Sequence, residues 1–261
     1  MSGRIPARIA RLCAASLTVI AVGAVTAGAA SAETVYDNVP ATLPGNFASI
    51  GLAATSSTEF GGEIELAGTL RGKPTITVVM SSWACQSGSW TEPNKCLTPK
   101  PKKTFKVPLT VKVYAAAELS EGPVAEVTKN VKMDYRPSDN SKECPSGEQW
   151  YDEATKECDH GYAFPVSLTL KKLKKMPQKA VITFSYPVST VPAQSLNVSV
   201  SEPEEKTLSI GKDPVEEWFA NSTWSEMYCP GAKDVGKLGS EEGVGCQEGV
   251  NYQPVISVSA N

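Results

Sequence analysis

Histidine is almost missing from this 261-residue chain, which holds one, His160. A Ser–His–Asp or Cys–His nucleophile needs an imidazole base beside it. The single imidazole stands two residues after Cys158, in a cysteine-flanked loop, so the common hydrolase route is largely closed. No C-x-x-C occurs. That removes the spacing of dithiol redox sites and the knuckle of structural zinc sites. Excess positive charge is lacking too, with 25 Lys and Arg against 28 Asp and Glu. Phosphate backbones are bound through Lys and Arg, so nucleic acid is not an expected partner. No sustained helical periodicity and no internal repeat is visible. Beyond Val25 no apolar run is long enough to span a bilayer, and no transmembrane segment is expected in the mature chain.

What is present begins with a leader. Arg4, Arg8 and Arg11 precede an apolar run from Leu12 to Val25, and Ala30-Ser31-Ala32 offers a small-residue cleavage site. Residues 1–32 thus read as a secretory signal peptide, with Cys13 leaving with it. The mature chain from Glu33 keeps 22 basic and 28 acidic residues, a net charge of −6, and is expected outside the cell. Its six cysteines are Cys85, Cys96, Cys144, Cys158, Cys229 and Cys246. An even count in an exported chain reads as disulfides, and nearest-neighbour pairing predicts 85–96, 144–158 and 229–246. Each bridge closes a short Gly-, Pro- and polar-rich loop and is worth about 3 kcal/mol by loop entropy. A zinc site would need Cys144, Cys158, His160 and an acid to converge, and the bridge is the preferred reading. No metal and no cofactor is assigned.

Period-two alternation dominates the rest. In TFKVPLTVKV, Phe105, Val107, Leu109, Val111 and Val113 alternate with mostly polar residues; YAFPVSLTL does the same with Tyr162, Phe164, Val166, Leu168 and Leu170. Such segments are strands with one face to a core and one to water. Further strands are predicted at Glu63–Gly68, Thr75–Ser81, Val124–Tyr135, Ala180–Tyr186, Ser195–Val200 and Pro254–Ala260. Gly61-Gly62, Gly72 to Pro74 and Gly122-Pro123 read as turns between them. The expected class is all-β: one antiparallel two-sheet sandwich over 33–261, jelly-roll or immunoglobulin-like, with disulfide-stapled loops. At most one short helix is expected, in DPVEEWFANSTW at 213–224, capped by Asp213 and opened by Pro214. Residues 201–251 read as an ordered excursion packed on one end of the sandwich.

Candidate chemistry is diffuse. Acid pairs suited to glycoside hydrolysis occur at Glu63 and Glu65, Asp152 and Glu153, and Glu216 and Glu217, each also readable as solvated surface. Asp134, Asp139, Asn140, Asp152 and Asp159 carry oxygens of the kind calcium takes, without a loop motif to arrange them. His160 reads as a solvated loop residue. Aromatic rings on loops are the better lead, because a flat apolar face can stack on a sugar ring. Trp150, Tyr151, Trp218, Trp224 and Tyr228 are therefore the candidate ligand-binding residues, with Trp150 and Trp218 expected to be the most exposed and Trp83 expected in the core. Lysine-rich runs at 99–106 and 171–179 read as a solvated rim or a protected edge strand. Asn197 and Asn221 open glycosylation sequons.

The stretches Phe60-Gly61-Gly62, Leu66-Ala67-Gly68-Thr69, Met80-Ser81-Ser82-Trp83, Trp150-Tyr151-Asp152 and Asn221-Ser222-Thr223-Trp224, with Tyr228-Cys229, resemble a group of exported bacterial β-rich proteins with no established activity. In that group a Tyr-Asp-Ser-Leu-Asn-Val stretch recurs; here Ala193-Gln194-Ser195-Leu196-Asn197-Val198 lacks the tyrosine and the acid. The resemblance implies an exported β-rich fold and carries over no catalytic residue. The expected function is that of a non-enzymatic surface-binding or envelope-associated module for cell-wall or extracellular polysaccharide. The alternatives are an extracellular carbohydrate-active hydrolase using two carboxylates, and a passive structural protein.

Overall fold

The structure, a computed structural model, describes residues 33–70, 72–201, 210–213, 218–228, 234–240 and 253–260. The expected leader, the expected Cys229–Cys246 pairing and much of the 201–251 segment fall outside these. Strands dominate in chain order: β1 (Thr34–Asp37), β2 (Ser49–Gly51), β3 (Ser57–Glu65), β4 (Pro74–Ser82) and β5 (Thr104–Ala115). Then come β6 (Ala125–Asp134), β7 (Trp150–Asp152), β8 (Glu157–Asp159), β9 (Tyr162–Thr169) and β10 (Lys179–Ser185). The last are β11 (Leu196–Ser201), β12 (Trp218–Ser222), β13 (Gly239–Ser240), β14 (Gln253–Pro254) and β15 (Ile256–Ala260). They pair into a seven-stranded sheet containing β4, a six-stranded sheet ordered β13-β12-β3-β10-β5-β6, and the two-stranded β7–β8 ribbon. Every pairing between these strands is antiparallel. No described residue is α-helical; the helical turns are short 3-10 segments such as Ala116–Glu121 and Ser225–Met227.

Alternation explains the core. Phe105, Val107, Leu109, Val111 and Val113 of β5 are all buried, as are Ile76, Val78 and Met80 of β4 and Phe164, Val166 and Leu168 of β9. All of these belong to one hydrophobic cluster, so both large sheets contribute their apolar faces to the same core. Burying such side chains is worth about 1.5–3 kcal/mol each before entropy is counted. The odd-numbered Val79 of β4 faces the other way. It packs with Ala163 and Val255 under Val39, Leu43 and Phe47, so the segment after β1 runs across the back of the seven-stranded sheet. A third cluster of Tyr114, Val181 and Phe219 lies beneath Ala116, Leu119 and Leu238.

Two expectations need correction. Gly61-Gly62 is not a turn but the middle of β3. A Cβ on Gly61 would stand 2.0 Å from the Ile182 carbonyl oxygen of the neighbouring strand, and one on Gly62 would stand 2.1 Å from Gln253 Oε1. The glycines are there to let other chain segments come close. The helix expected to open at Pro214 begins outside the described residues, and it does not extend to 224: Trp218–Ser222 is a strand paired with β3, and Ile210 and Lys212 bridge to Asp37 and Glu65. Over 218–222 backbone pairing to an available sheet edge outweighs local helix preference. The described part of the excursion is thus partly a continuation of the six-stranded sheet.

The bridges Cys85–Cys96 and Cys144–Cys158 are formed as paired from the sequence. Between their loops lies Arg136, wholly buried, with Nη2 2.5 Å from Asp139 Oδ1 and Nη1 donating to the Glu148 carbonyl at 3.0 Å. Asp139 Oδ2 in turn accepts from the Cys96 amide at 2.8 Å. One ion pair therefore ties the first stapled loop to the second.

Candidate functional site

The β7–β8 ribbon is the element that builds the most featured surface. Its register sets Trp150 opposite Asp159 and Asp152 opposite Glu157. Strand geometry then places Trp150, Asp152, Glu157 and Asp159 on one face and Tyr151 and Cys158 on the other. The first face lies over the segment following β1. A Cβ on Gly45 would sit 2.3 Å from Asp159 Oδ2, 2.7 Å from Asp152 Oδ2 and 2.9 Å from the Trp150 ring. By the triangle inequality the two carboxylate oxygens are within about 5 Å of each other. Burial, then the charges of Asp152 and Glu157, raise the Asp159 pKa, and His160 opposes them.

Beside this contact opens a groove of about 480 Å³, bordered by Asn46, Ser49, Trp83, Glu157 and Asp159. Trp83 follows the end of β4 and is half-buried. Its ring stacks on His160 at 5.5 Å with 7° between planes, and Trp90 meets it edge-on at 4.7 Å. Ser81 donates to Asn46 Oδ1 at 2.7 Å, and a Cβ on Gly161 would crowd Ser81, Asn46 and Trp83 Nε1 together. Trp83 Nε1 and Asp159 Oδ2 have no hydrogen-bond partner among the described residues. Such buried orphans are uncommon in folded proteins. The groove thus brings the Trp83 ring together with an amide, a hydroxyl and two carboxylates.

The aromatic residues singled out in the sequence fare differently. Trp150 is 6% exposed rather than displayed, with Nε1 donating to the Gly161 carbonyl at 2.6 Å. The expectation of an exposed Trp150 fails because the ribbon turns that face inward. Tyr151, on the opposite face, is half-buried with Lys156 Nζ 5.8 Å above its ring. Trp224 is 41% exposed. Tyr228 is 3% exposed; its hydroxyl accepts from the Ser222 amide at 2.7 Å and donates to the Ala220 carbonyl at 3.1 Å, pinning the chain after β12. Trp218 lies on β12, with only its backbone described. Among the described residues no ring contact joins the ribbon aromatics to those after β12.

Two further readings change. Trp83 borders a groove instead of filling the core, and His160 stacks on it instead of standing free in solvent. The acids considered for calcium are dispersed: Asp139 is spent on Arg136 and Cys96, while Asp152 and Asp159 face Gly45. No group of three or more metal-ligating side chains occurs among the described residues. Both sequons fall inside strands, Asn197 in β11 between β2 and β4, and Asn221 in β12. No described helix is long and apolar enough to cross a membrane.

Comparison with protein-family models, with curated proteins and with solved structures finds no match to this chain.

Proposed function

We propose that this is an exported, non-enzymatic β-sandwich protein of jelly-roll or immunoglobulin-like type, serving as a surface-binding or envelope-associated module for carbohydrate. Two large antiparallel sheets sharing one hydrophobic cluster support the sandwich. Residues Ala32–Asn261 forming one compact unit support a single domain. Two disulfides fit an oxidising compartment, outside the cell or in the periplasm.

The observation that carries the binding reading is the groove beside Trp83. Sugars present an apolar ring face and a rim of hydroxyls. Recognition of that pattern calls for an aromatic plane next to a few placed polar groups, and a groove bordered by Trp83, Asn46, Glu157 and Asp159 supports that reading. The ligand-binding role moves here from Trp150 and Tyr228, whose polar atoms are already spent on the backbone. Trp224, Trp218 and Tyr151 stay as secondary contacts to test.

The hydrolase alternative has its best pair in Asp152 and Asp159. Retaining glycosidases hold two carboxyl groups about 5–5.5 Å apart, and a raised pKa suits a general acid. However, the Gly45 backbone stands against both carboxylates and takes the space a scissile bond would need. Binding is therefore the first reading.

Retention of the mature protein on insoluble cellulose, chitin and peptidoglycan tests it. Native protein should be retained on one of these, with Trp83→Ala and the surface change Glu157→Ala eluting early and Trp224→Ala, at a secondary contact, losing less than either. Equal retention of all four proteins, or none of the native one, removes the groove as the site. Soluble sugar released by native protein and abolished in Asp159→Asn would instead establish the hydrolase.

A further inference from the structure

A second groove, unrelated to the aromatic one, opens where the two large sheets meet at their margins. β6 ends the six-stranded sheet, and β9 pairs with β4 alone. Among the described residues no strand pairs with the outer edge of β6. The groove beside it measures about 730 Å³. Val124, Val127, Leu170 and Leu173 line it, and Lys129, Lys171 and Lys172 stand around it, all three exposed. Glu126 also borders it and stands opposite Lys112 across the sheet.

The core-facing side of β6 reads Ala125, Val127, Lys129, Val131 and Met133. Its partners on β5 are Val113, Val111, Leu109, Val107 and Phe105, every one buried. Lys129 thus interrupts an apolar series at its centre. An inward-facing charge on an edge strand blocks indiscriminate pairing. On the other face Lys132 already stands opposite Lys106. A second copy of β6 would bring more lysines against these, so self-association through this edge is disfavoured. A strand of opposite charge meets no such barrier.

We infer that the β6 edge is a docking site for an extended acidic segment of a partner polypeptide, which joins the six-stranded sheet as an added strand. Its backbone continues the ladder, which is how sheet edges gain affinity, while alternate side chains give specificity. Apolar side chains stand opposite Ala125 and Val127, and a carboxylate stands opposite Lys129. Further carboxylates reach Lys171 and Lys172 on the far wall. The same lysines that repel a like edge select the acidic one. An anionic polysaccharide would satisfy the lysines but neither the apolar floor nor the unpaired backbone.

A fluorescein-labelled decapeptide with one strand face reading valine, valine, glutamate, glutamate at alternate positions and with threonine between them, followed by anisotropy with the mature protein, tests this. Saturable binding is expected, weakened by salt and about tenfold or more by Lys129→Glu. The double change Lys171→Glu/Lys172→Glu acts on the other wall and should give the same loss. All three positions are exposed, and a thermal melt checks that the variants fold. The peptide N-methylated at alternate residues, and a valine–lysine version, should not bind. Affinity unchanged in both lysine variants, or equal binding of the N-methylated peptide, overturns the proposal. So does lysine-dependent binding of alginate or of phosphatidylglycerol vesicles without binding of the peptide.

Discussion

Replacing Asp139 by Asn should be among the most damaging single changes of a polar residue in the described structure. The Arg136 side chain has no exposed surface, and Asp139 is the one carboxylate paired with it among the described residues. Burial lowers the Arg136 pKa, and the Asp139 charge and hydrogen bond oppose that shift. The intrinsic value is so high that the guanidinium stays charged after the substitution. Losing one member of a buried pair leaves the other uncompensated and costs about 3–5 kcal/mol. A domain of this kind has about 5–15 kcal/mol in all, so about a fifth or more of its stability is at stake. For a chain of this length that lowers Tm by about 6–20 °C. Removing both charges with Arg136→Met/Asp139→Asn should recover much of the loss, since no uncompensated charge is then left buried. Urea unfolding followed by tryptophan fluorescence measures all three variants. If Asp139→Asn stays within about 0.5 kcal/mol of native, the range of an ordinary surface change, the buried-pair argument is wrong. It is equally wrong if the double variant is no better than Asp139→Asn.

Gly61→Ala should destabilise by about 1–3 kcal/mol or more, because the new methyl meets the Ile182 carbonyl oxygen on an adjacent, fully paired strand; thermal melting measures it. Cys144→Ser/Cys158→Ser should cost about 3 kcal/mol, read from urea curves against native protein. Asp159→Asn should raise stability at neutral pH and do nothing in strong acid. The folded-state pKa of Asp159 lies above its unfolded value, so the fold favours the protonated form and loses that advantage as pH rises through the folded pKa. The amide stays neutral throughout. Melts from pH 3 to 8 should show a gap that opens as pH increases, and a gap opening towards acid would contradict the assignment.

Much of the scaffold was legible because its strands are one-faced. β5 and β9 alternate cleanly, and each buries the side that its pattern marks. The misreadings share a cause: residues whose role is set by a neighbour in space. Gly61 and Gly62 resemble a turn until Ile182 and Gln253 are seen beside them. Residues 218–222 lack clean alternation and become a strand only because β3 offers them an edge. The β7–β8 ribbon was missed as strands, yet its pattern was available. Trp150, Asp152, Glu157 and Asp159 are related by strand periodicity across a short turn, which would have placed the tryptophan with the acids on one face. Trp83 and His160 could not have been joined by any local pattern, since 77 positions separate them in the sequence.

The location of the staples bears on what they are for. Both described disulfides and the Arg136–Asp139 pair lie in the segments 84–103 and 136–161, outside the two large sheets, whereas those sheets carry the continuous apolar core. The ribbon that presents Glu157 and Asp159 to the groove has only three residues in each strand. A two-stranded hairpin of that size is not stable in water by itself. Cys158 lies in the centre of that ribbon, bonded to Cys144, whose amide is held by the Asn140 carbonyl at 2.8 Å. Loss of the bridge therefore releases the groove wall before it threatens the sheets. Beside their effect on global stability the staples supply local order, and under the proposed binding role they hold polar side chains in one arrangement so that a ligand need not pay the ordering cost itself. On this reasoning polysaccharide retention by Cys144→Ser/Cys158→Ser falls at temperatures where its circular dichroism still reports intact sheets. Retention and sheet content falling together would mean that the bridge serves the whole fold and not the groove.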